Sequence, residues 1–586
     1  MDEQSISHDR APRHKNEIGR ALHAFSPLER LVFICAMLIS AVAVLSLLYK
    51  INEHFLVSVP VEGGTLHEGV VGTPRFVNPL LAVTDADRDL TALVYRGLMK
   101  TDGSGAIVPD LAKSYTVSPD GLTYTFVLGD AAFSDGQKVT ADDVLFTIKS
   151  AEDATLKSAE RIAWEGVLAS ATDESTITFT LKQPFAPFLA STTLGILPKH
   201  VWSKVPYDSW AYSDFNTKNA VGEGAFKIMN IKESASGVPD YYELAAVRQK
   251  DGPDPHIDSI QIHFYASEDA LIAAYRSRTI DTLGGIDPEN AKLLEEDGAK
   301  VLSAPLPRVF GLFFNQSQAK LFTDPSVRRA ISLALDKDNV VATVLKGYGS
   351  TDSGPIPESS QLATAPNLPA AGADIDAAKA ALEKSGWKLG PDGMYAKQIS
   401  KKETERASFE IATNDTPELT QAVNLIAKDL LAAGIEAVPK VYETGSLNQD
   451  IIRPRKFQAL FFGEVVSSQS DLYAFWHSSQ RNDPGLNISG YANSKADKLL
   501  VQGLQTLDPE KTADTYNALV KEINTDMPAV FVYSPSYIYV VRPGLTGITL
   551  GHVETPEDRF ADISTWYLAT DRVWKIFAKP ESSKQP

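Results

Sequence analysis

Residues 312–336 read LFFNQSQAKLFTDPSVRRAISLALD. The run into Asn315 is apolar and strand-like, a polar loop follows, and Asp324 and Pro325 stand where a helix cap and a first helical residue belong. Val327, Ile331 and Leu335 recur at helical spacing and predict the buried stripe of that helix. A strand leading through a capped loop into an amphipathic helix is the repeating unit of an α/β protein.

The same alternation extends on both sides. Downstream, a strand at Ser408–Thr413 is expected between helices at Asp376–Lys384 and Thr420–Ala433. Helices over Ser494–Leu507 and Lys511–Asp526 precede strands at Val530–Tyr533 and Tyr537–Val541. Upstream, Val61–Pro79 reads as strands joined by turns, Ala86–Met99 as a helix, and Tyr115–Gly129 as a strand, because Leu122, Tyr124, Phe126 and Leu128 fall on one face. Thr140–Lys149 opens with a capping box, Thr176–Leu181 alternates as a strand, and two prolines exclude Gln183–Phe188 from a sheet centre or a helix interior. Strands are also expected at Phe226–Ile231 and around Ile260–Phe264. The mixture has too many strands for a bundle and too many interruptions for a simple barrel.

Leu31–Tyr49, LVFICAMLISAVAVLSLLY, carries no charge across nineteen residues. At a rise of about 1.5 Å per residue such a helix nearly spans a hydrocarbon core of roughly 30 Å. The run exceeds the roughly 7–15 apolar residues of a signal peptide and has no convincing small-residue cleavage site behind it, so it reads as an uncleaved membrane anchor. Arg10, Arg13, Lys15, Arg20 and Arg30 precede it and Lys50 alone follows closely, which places the N-terminus in the cytoplasm and the body outside. Beyond residue 50 there are fifty bases and sixty-nine acids. That balance argues against nucleic acid and against an anionic membrane surface as the principal partner. Cys35, the single cysteine, lies inside the apolar run, so no intrachain disulfide can form.

Motifs of catalysis are missing. There is no GxxxxGK[ST], no HExxH and no GxSxG, and the seven histidines beyond the anchor are scattered, with His256 and His263 on no shared ligand face. No catalytic residue, metal site or cofactor is expected. The stretch Ala459–His477, ALFFGEVVSSQSDLYAFWH, instead has the character of a binding wall: an apolar strand, a glycine, two acids, aromatics and a histidine close together.

Several segments resemble one family. DLA at 110–112, PDGL at 119–122, FSDG at 133–136, VTADDVLF at 139–146, Phe313–Asn315 and DPSVRR at 324–329 with Asp336 look like the extracytoplasmic solute-binding proteins of family 5, the peptide- and nickel-binding receptors of ABC importers. LEKSGW at 382–387, DKLL at 497–500 and DMP at 526–528 continue the likeness in order, so that it covers about residues 61–570.

The resemblance implies a two-lobed periplasmic-binding-protein-like fold of type II, a Venus flytrap of α/β lobes with an inserted subdomain, here behind an N-terminal transmembrane helix. Mapped onto this chain, residues 1–30 would be a cytoplasmic tail, 31–49 the anchor and 50–60 a stem. Lobe I would take 61–109, 217–306 and 535–578, the insertion 110–216, lobe II 307–534, and a tail 579–586, with hinges near Pro305 and Pro535. In peptide-binding members the ligand pairs its backbone with protein strands and a buried acid meets its amino terminus. Glu464 and Asp471 compete for that role in a segment that lacks the family's D-P dipeptide. Trp476 and His477 could stack on ligand, Asn78 could meet its backbone, Arg308 could take a carboxylate, and Asn487 and Tyr491 resemble a cleft-rim motif. Glu223 and Ala225 depart from the family's G-T-G-P at 222–225.

The expected function is that of a membrane-tethered, monomeric receptor capturing oligopeptides or another small polar solute for ABC permease subunits. A metal-chelate or an oligosaccharide is the alternative ligand. A surface hydrolase, or a sensor signalling inward, is the alternative from another class, and the sensor is weakened because thirty residues before the span are too few for an output domain.

Overall fold

The computed structural model describes residues 26–248, 252–363, 372–574 and 576. Arg10, Arg13, Lys15 and Arg20 before the apolar run, and the tail 579–586, lie outside the described residues. The chain divides into two compact units, Glu62–Ala569 and a smaller one made of the N-terminal segment to Val61 with the residues from Thr570.

In the smaller unit the apolar run is one helix, Pro27–Phe55, opened by a capping box between Ser26 and Glu29. None of its residues is buried. Where a stem is expected, the helix runs on to Phe55 and the strand Leu56–Val61 follows, paired with the C-terminal strand Ala569–Trp574 in a two-stranded sheet. The Trp574 indole N–H donates to Asn52 Oδ1 at 2.8 Å and its ring stacks on Phe55 with 6.1 Å between centroids.

The larger unit is built on a twelve-stranded sheet that passes through two lobes. In lobe II the neighbours run Glu436–Tyr442, Ser408–Asn414, Ala459–Val465, Arg308–Phe314. In lobe I they run Thr282–Gly284, Thr65–Val71, Ser259–Tyr265, Pro239–Ala246, Phe226–Glu233. Ala529–Val541 joins the two halves, and this is one strand where the sequence predicts two. Its first part pairs with Arg308–Phe314 and its second with Lys300–Pro305. Pro535, which reads as a strand breaker, sits where the partner changes, so its missing N–H interrupts no ladder interior.

Each lobe buries both faces of its half of the sheet. In lobe I, Leu66, Ile260 and Tyr539 face a large core shared with the insertion, and Leu271, Leu283 and Val540 face a smaller one. In lobe II, Leu312, Phe461 and Val532 lie on one side, while Val309, Phe313 and Leu460 lie on the other with Leu472 and Trp476. The insertion is a four-stranded antiparallel sheet of Ala112–Val117, Thr123–Leu128, Thr176–Thr180 and Leu168–Asp173, covered by the helix Ala141–Glu152 and by the buried Trp164, Trp202 and Trp210.

The predicted helix at Ala86 is Asp85–Val94, capped by Thr84. The strand signal of Val61–Pro79 resolves into the single strand Thr65–Val71 and an irregular loop. Buried Asp87 organises that loop: its two carboxylate oxygens accept from the backbone N–H groups of Arg75, Phe76, Val83 and Thr84 at 2.6–3.2 Å.

Candidate functional site

Lobe II presents the C-terminal ends of the parallel strands Ser408–Asn414 and Ala459–Val465 to the seam between the lobes. Such ends are where α/β sheets bind ligands, because loops diverge there and leave a crevice. Ala459–Val465 pairs along its whole length with Arg308–Phe314, but with Ser408–Asn414 only at Ala459 and Leu460. From Phe461 to Val465 its other edge has no strand partner among the described residues. The Phe461 carbonyl on that side accepts from Thr413 Oγ1, and on the opposite side the N–H of Val466 reaches Pro307 O at 2.7 Å. By the alternation of strand backbone, the polar groups of Gly463 and Val465 point out of the open edge. Gly463 is required for packing: a Cβ there would lie 2.7 Å from the Phe310 ring.

Just past this strand, Ser467, Ser468 and Gln469 enter the wall of a cavity of about 530 Å³. The opposite walls come from Ala186–Ala190 of the insertion and from Thr101, Ile107 and Glu554 on the lobe I side. Thr506, Leu507 and the start of the helix Pro509–Asp526 close it from lobe II. The lobes touch around it. Gln361 of lobe II donates to the Gly105 carbonyl, Ala186 N donates to Leu504 O at 2.8 Å, and Ser359 Oγ donates to Leu306 O at 2.6 Å.

None of the residues expected at the site lines this cavity, although Trp476, His477, Asn487 and Tyr491 contact one another within lobe II. Glu464 points to the face of the strand that carries Leu460, opposite Val309 in the register, and is 2 % exposed. Among the described residues neither carboxylate oxygen has a hydrogen-bond partner, and burial pushes its carboxyl well above the usual carboxylate range. Asp471 caps its own helix, accepting from the Ser467 and Ser468 N–H groups at 3.1 and 2.8 Å, and so shapes the cavity turn without lining the cavity. Trp476 is fully buried against Phe313, Tyr491 and Phe531. His477 stacks on Tyr473 and meets Ser479 Oγ at 2.8 Å, beside a separate surface hollow over the helix Ser494–Gln505.

Asn78 is a buried strut, its side-chain amide donating to Asn216 Oδ1 at 3.1 Å while its oxygen accepts from Leu80 N. Asn487 binds the Tyr491 carbonyl, and Tyr491 donates to Asp526 Oδ2 at 2.7 Å. Tyr491 lines a hollow with Asn315 and Arg328, at the C-terminal end of the strand Arg308–Phe314. Arg308 does lie at the seam, where the charges that act on it are Asp85 of lobe I and Glu418 of lobe II. Glu418 is itself pushed up to about 7, first by burial and then by Asp287 and Glu268 from lobe I.

Of the residues that line the cavity, Ser467 and Gln469 fall in the stretch expected as a binding wall, whereas sequence reasoning missed Gln361, Thr512 and Glu554. These three come from distant segments, and no local pattern distinguishes them from surface loops. Among the described residues, no group of three or more His, Cys, Asp or Glu side chains could hold a metal ion.

A two-lobed sheet joined through one long strand, with an inserted subdomain and a cavity where the lobes meet, defines a type II periplasmic-binding-protein fold. Residues 106–484 match the family described as bacterial extracellular solute-binding proteins, family 5 Middle, and the chain belongs to that family. The family is one of extracytoplasmic binding proteins that serve ABC importers, not of enzymes. The chain is 27% identical to the oligopeptide-binding protein AppA of Bacillus subtilis over 87% of its own length and 92% of that protein. It is also 27% identical to the probable D,D-dipeptide-binding periplasmic protein DdpA of Escherichia coli, over 82% of this chain and 90% of that one. The solved structure of B. subtilis AppA in complex with a nonapeptide superposes with a TM-score of 0.65 at 26% identity, covering 87% of this chain and all of that one. The substrate-binding protein CtaP of Listeria monocytogenes shares the fold with a TM-score of 0.73 at 24% identity, over 86% and 99% of the two chains.

Proposed function

We propose that this protein captures oligopeptides between its lobes and delivers them to the permease subunits of an ABC importer, working as a monomer held at the membrane by its N-terminal helix. The observation that carries the peptide reading is the open edge of Phe461–Val465 at the lobe seam. An extended peptide laid along it would complete the ladder through backbone hydrogen bonds, which give affinity without reading side chains. The peptides named in the relatives' descriptions support the same ligand class. Closure about the crossings at Pro305 and Pro535 would bury the ligand and present the permease with a distinct shape.

The tether reading rests on the uncharged run Leu31–Tyr49 within the helix Pro27–Phe55, with bases concentrated before it and the body after it. Retention of full-length protein in carbonate-washed membranes, with the body open to protease from outside the cell, is the expected result.

For the ligand, mass spectrometry of material released from protein purified without refolding should show a family of peptide masses. Titration calorimetry with a mixed peptide library on stripped, full-length protein should then show binding. Absence of peptide binding alongside tight binding of an oligosaccharide or a metal-chelate would overturn the peptide reading.

A further inference from the structure

The strand Leu56–Val61 leaves the helix Pro27–Phe55 directly and pairs with Ala569–Trp574, so that segments near both ends of the chain form one compact unit. The C-terminal strand runs back toward the helix, since its last residue, Trp574, reaches Asn52 and Phe55. Asn52 Oδ1 takes the indole N–H and the Phe55 ring stacks on the indole, which fixes the side chain at two points.

This collar has no core of its own. No described residue of either strand is buried, although Leu56, Val57, Val59, Val61, Val573 and Trp574 are apolar. Trp574 is 43% exposed, Phe55 49% and Tyr49 63%, and Ile576, two residues past Trp574, is 77% exposed. An isolated two-stranded sheet is marginal at best in water, so apolar strands with nothing buried call for a cover.

The place of the collar on the helix says what covers it. The uncharged run ends at Tyr49, and at about 1.5 Å per residue Asn52 stands about 4.5 Å, and Phe55 about 9 Å, past that end along the axis. With a hydrocarbon core of about 30 Å in a bilayer of about 40–45 Å, the headgroup layer on each side is about 5–8 Å deep. When the run spans the core, Asn52 and the ring it holds fall in that layer. Tryptophan and tyrosine concentrate at this depth because their rings are apolar with one polar edge. Asn52 supplies the partner for that edge, which leaves the rest of the indole free to meet lipid.

We propose that the C-terminal strand makes a second membrane contact: Trp574, braced by Asn52 and Phe55, lies in the outer headgroup layer of a phospholipid bilayer and binds it by apolar and aromatic contact. The inference rests on the tether reading above, and adds to it that the collar closing the body's C-terminal end also touches the membrane.

The sequence supplies a clean probe. Of seven tryptophans, Trp574 is the exposed one, for the other six are at most 2% exposed. Full-length protein is reconstituted in phosphatidylcholine vesicles that are unlabelled, brominated near the headgroups, or brominated near the bilayer centre, and tryptophan emission is compared. The shallow label should remove roughly one seventh of the wild-type emission and the deep label little, as a ring at headgroup level requires. Trp574→Phe, which keeps an aromatic ring beside Phe55, should abolish the loss. Stronger quenching by the deep label, or equal quenching in the variant, would overturn the placement. Absence of quenching in protein that carbonate does not extract would also overturn it, while leaving the tether reading intact. Should carbonate release the protein, the tether reading fails and the inference falls with it.

Discussion

Glu68 and Glu464 are both strand carboxylates withdrawn from water, at 0% and 2% exposure, and they live in opposite circumstances. Glu68 sits on Thr65–Val71, which is paired on both sides, by Ser259–Tyr265 and by Thr282–Gly284. Its oxygens receive Arg559 Nε at 3.0 Å, Tyr539 Oη at 2.5 Å and the Thr282 hydroxyl, while Arg559 also grips Asp89 with both terminal nitrogens at 2.6 and 2.7 Å. Glu464 sits on a strand paired on one side only near its end, and its carboxyl receives no hydrogen bond among the described residues. Burial raises both carboxyls, but at Glu68 the Arg559 cation and the Thr282 and Tyr539 hydroxyls pull the other way, whereas nothing offsets burial at Glu464. The first arrangement locks the C-terminal segment, which carries the cavity-lining Glu554, onto lobe I. The second leaves a buried carboxyl without a donor on the strand whose edge is open from Phe461 to Val465.

The largest expected effect comes from breaking the satisfied corner. Arg559→Met leaves Glu68 and Asp89 facing each other in the core without their cation, and unfolding in urea should show lobe I weakened by about 3–5 kcal/mol. An unchanged transition would mean that the network contributes nothing to holding the segment.

The open edge is probed by Val465→Pro, which removes an N–H that points away from the neighbouring strand. Peptide affinity should fall roughly ten-fold, the equivalent of about 1.4 kcal/mol and the scale of one lost ligand hydrogen bond. Calorimetry showing no change would place the peptide elsewhere.

Glu418 tests the seam by pH. Its folded-state carboxyl is raised from 4.5 to about 7, so the folded protein binds a proton that the unfolded chain has released, and stability falls as pH climbs through that window. Glu418→Gln should flatten the decline in thermal midpoint between pH 5 and pH 8, leaving the two proteins equal near pH 4. A parallel decline in both would assign it to other groups.

The smallest effect is expected at Glu464. Because burial favours the neutral form of this carboxyl, Glu464→Gln should cost little, with stability near pH 5 staying within about 1 kcal/mol of wild type. A loss as large as that of Arg559→Met would erase the contrast between the two acids.

Much of the fold was legible in the chain. The cap and proline at Asp324–Pro325 start a helix there, the capping box at Thr140 does likewise, and the uncharged run at Leu31–Tyr49 forms an exposed helix. These signals are local, since a cap or a periodic stripe is complete within one turn or one face. The motifs also carried the family, confirmed across residues 106–484. The site was legible only as a neighbourhood. Ser467–Gln469 reached the cavity wall, yet the acids beside them turned inward to the core or sideways to a helix cap.

By itself, then, the sequence determined the element types, the α/β class and the kinship, because each is encoded in short-range patterns of burial and capping. Only the tertiary structure decided that Pro535 lies inside a single strand, that Glu464 is withdrawn, and that Glu554 lines the cavity. The reason is physical: a carboxylate's role depends on which distant donors, cations and walls converge on it. Those partners, Arg559 for Glu68, His552 for Glu554 and none for Glu464, are set by how the strands and the C-terminal segment pack.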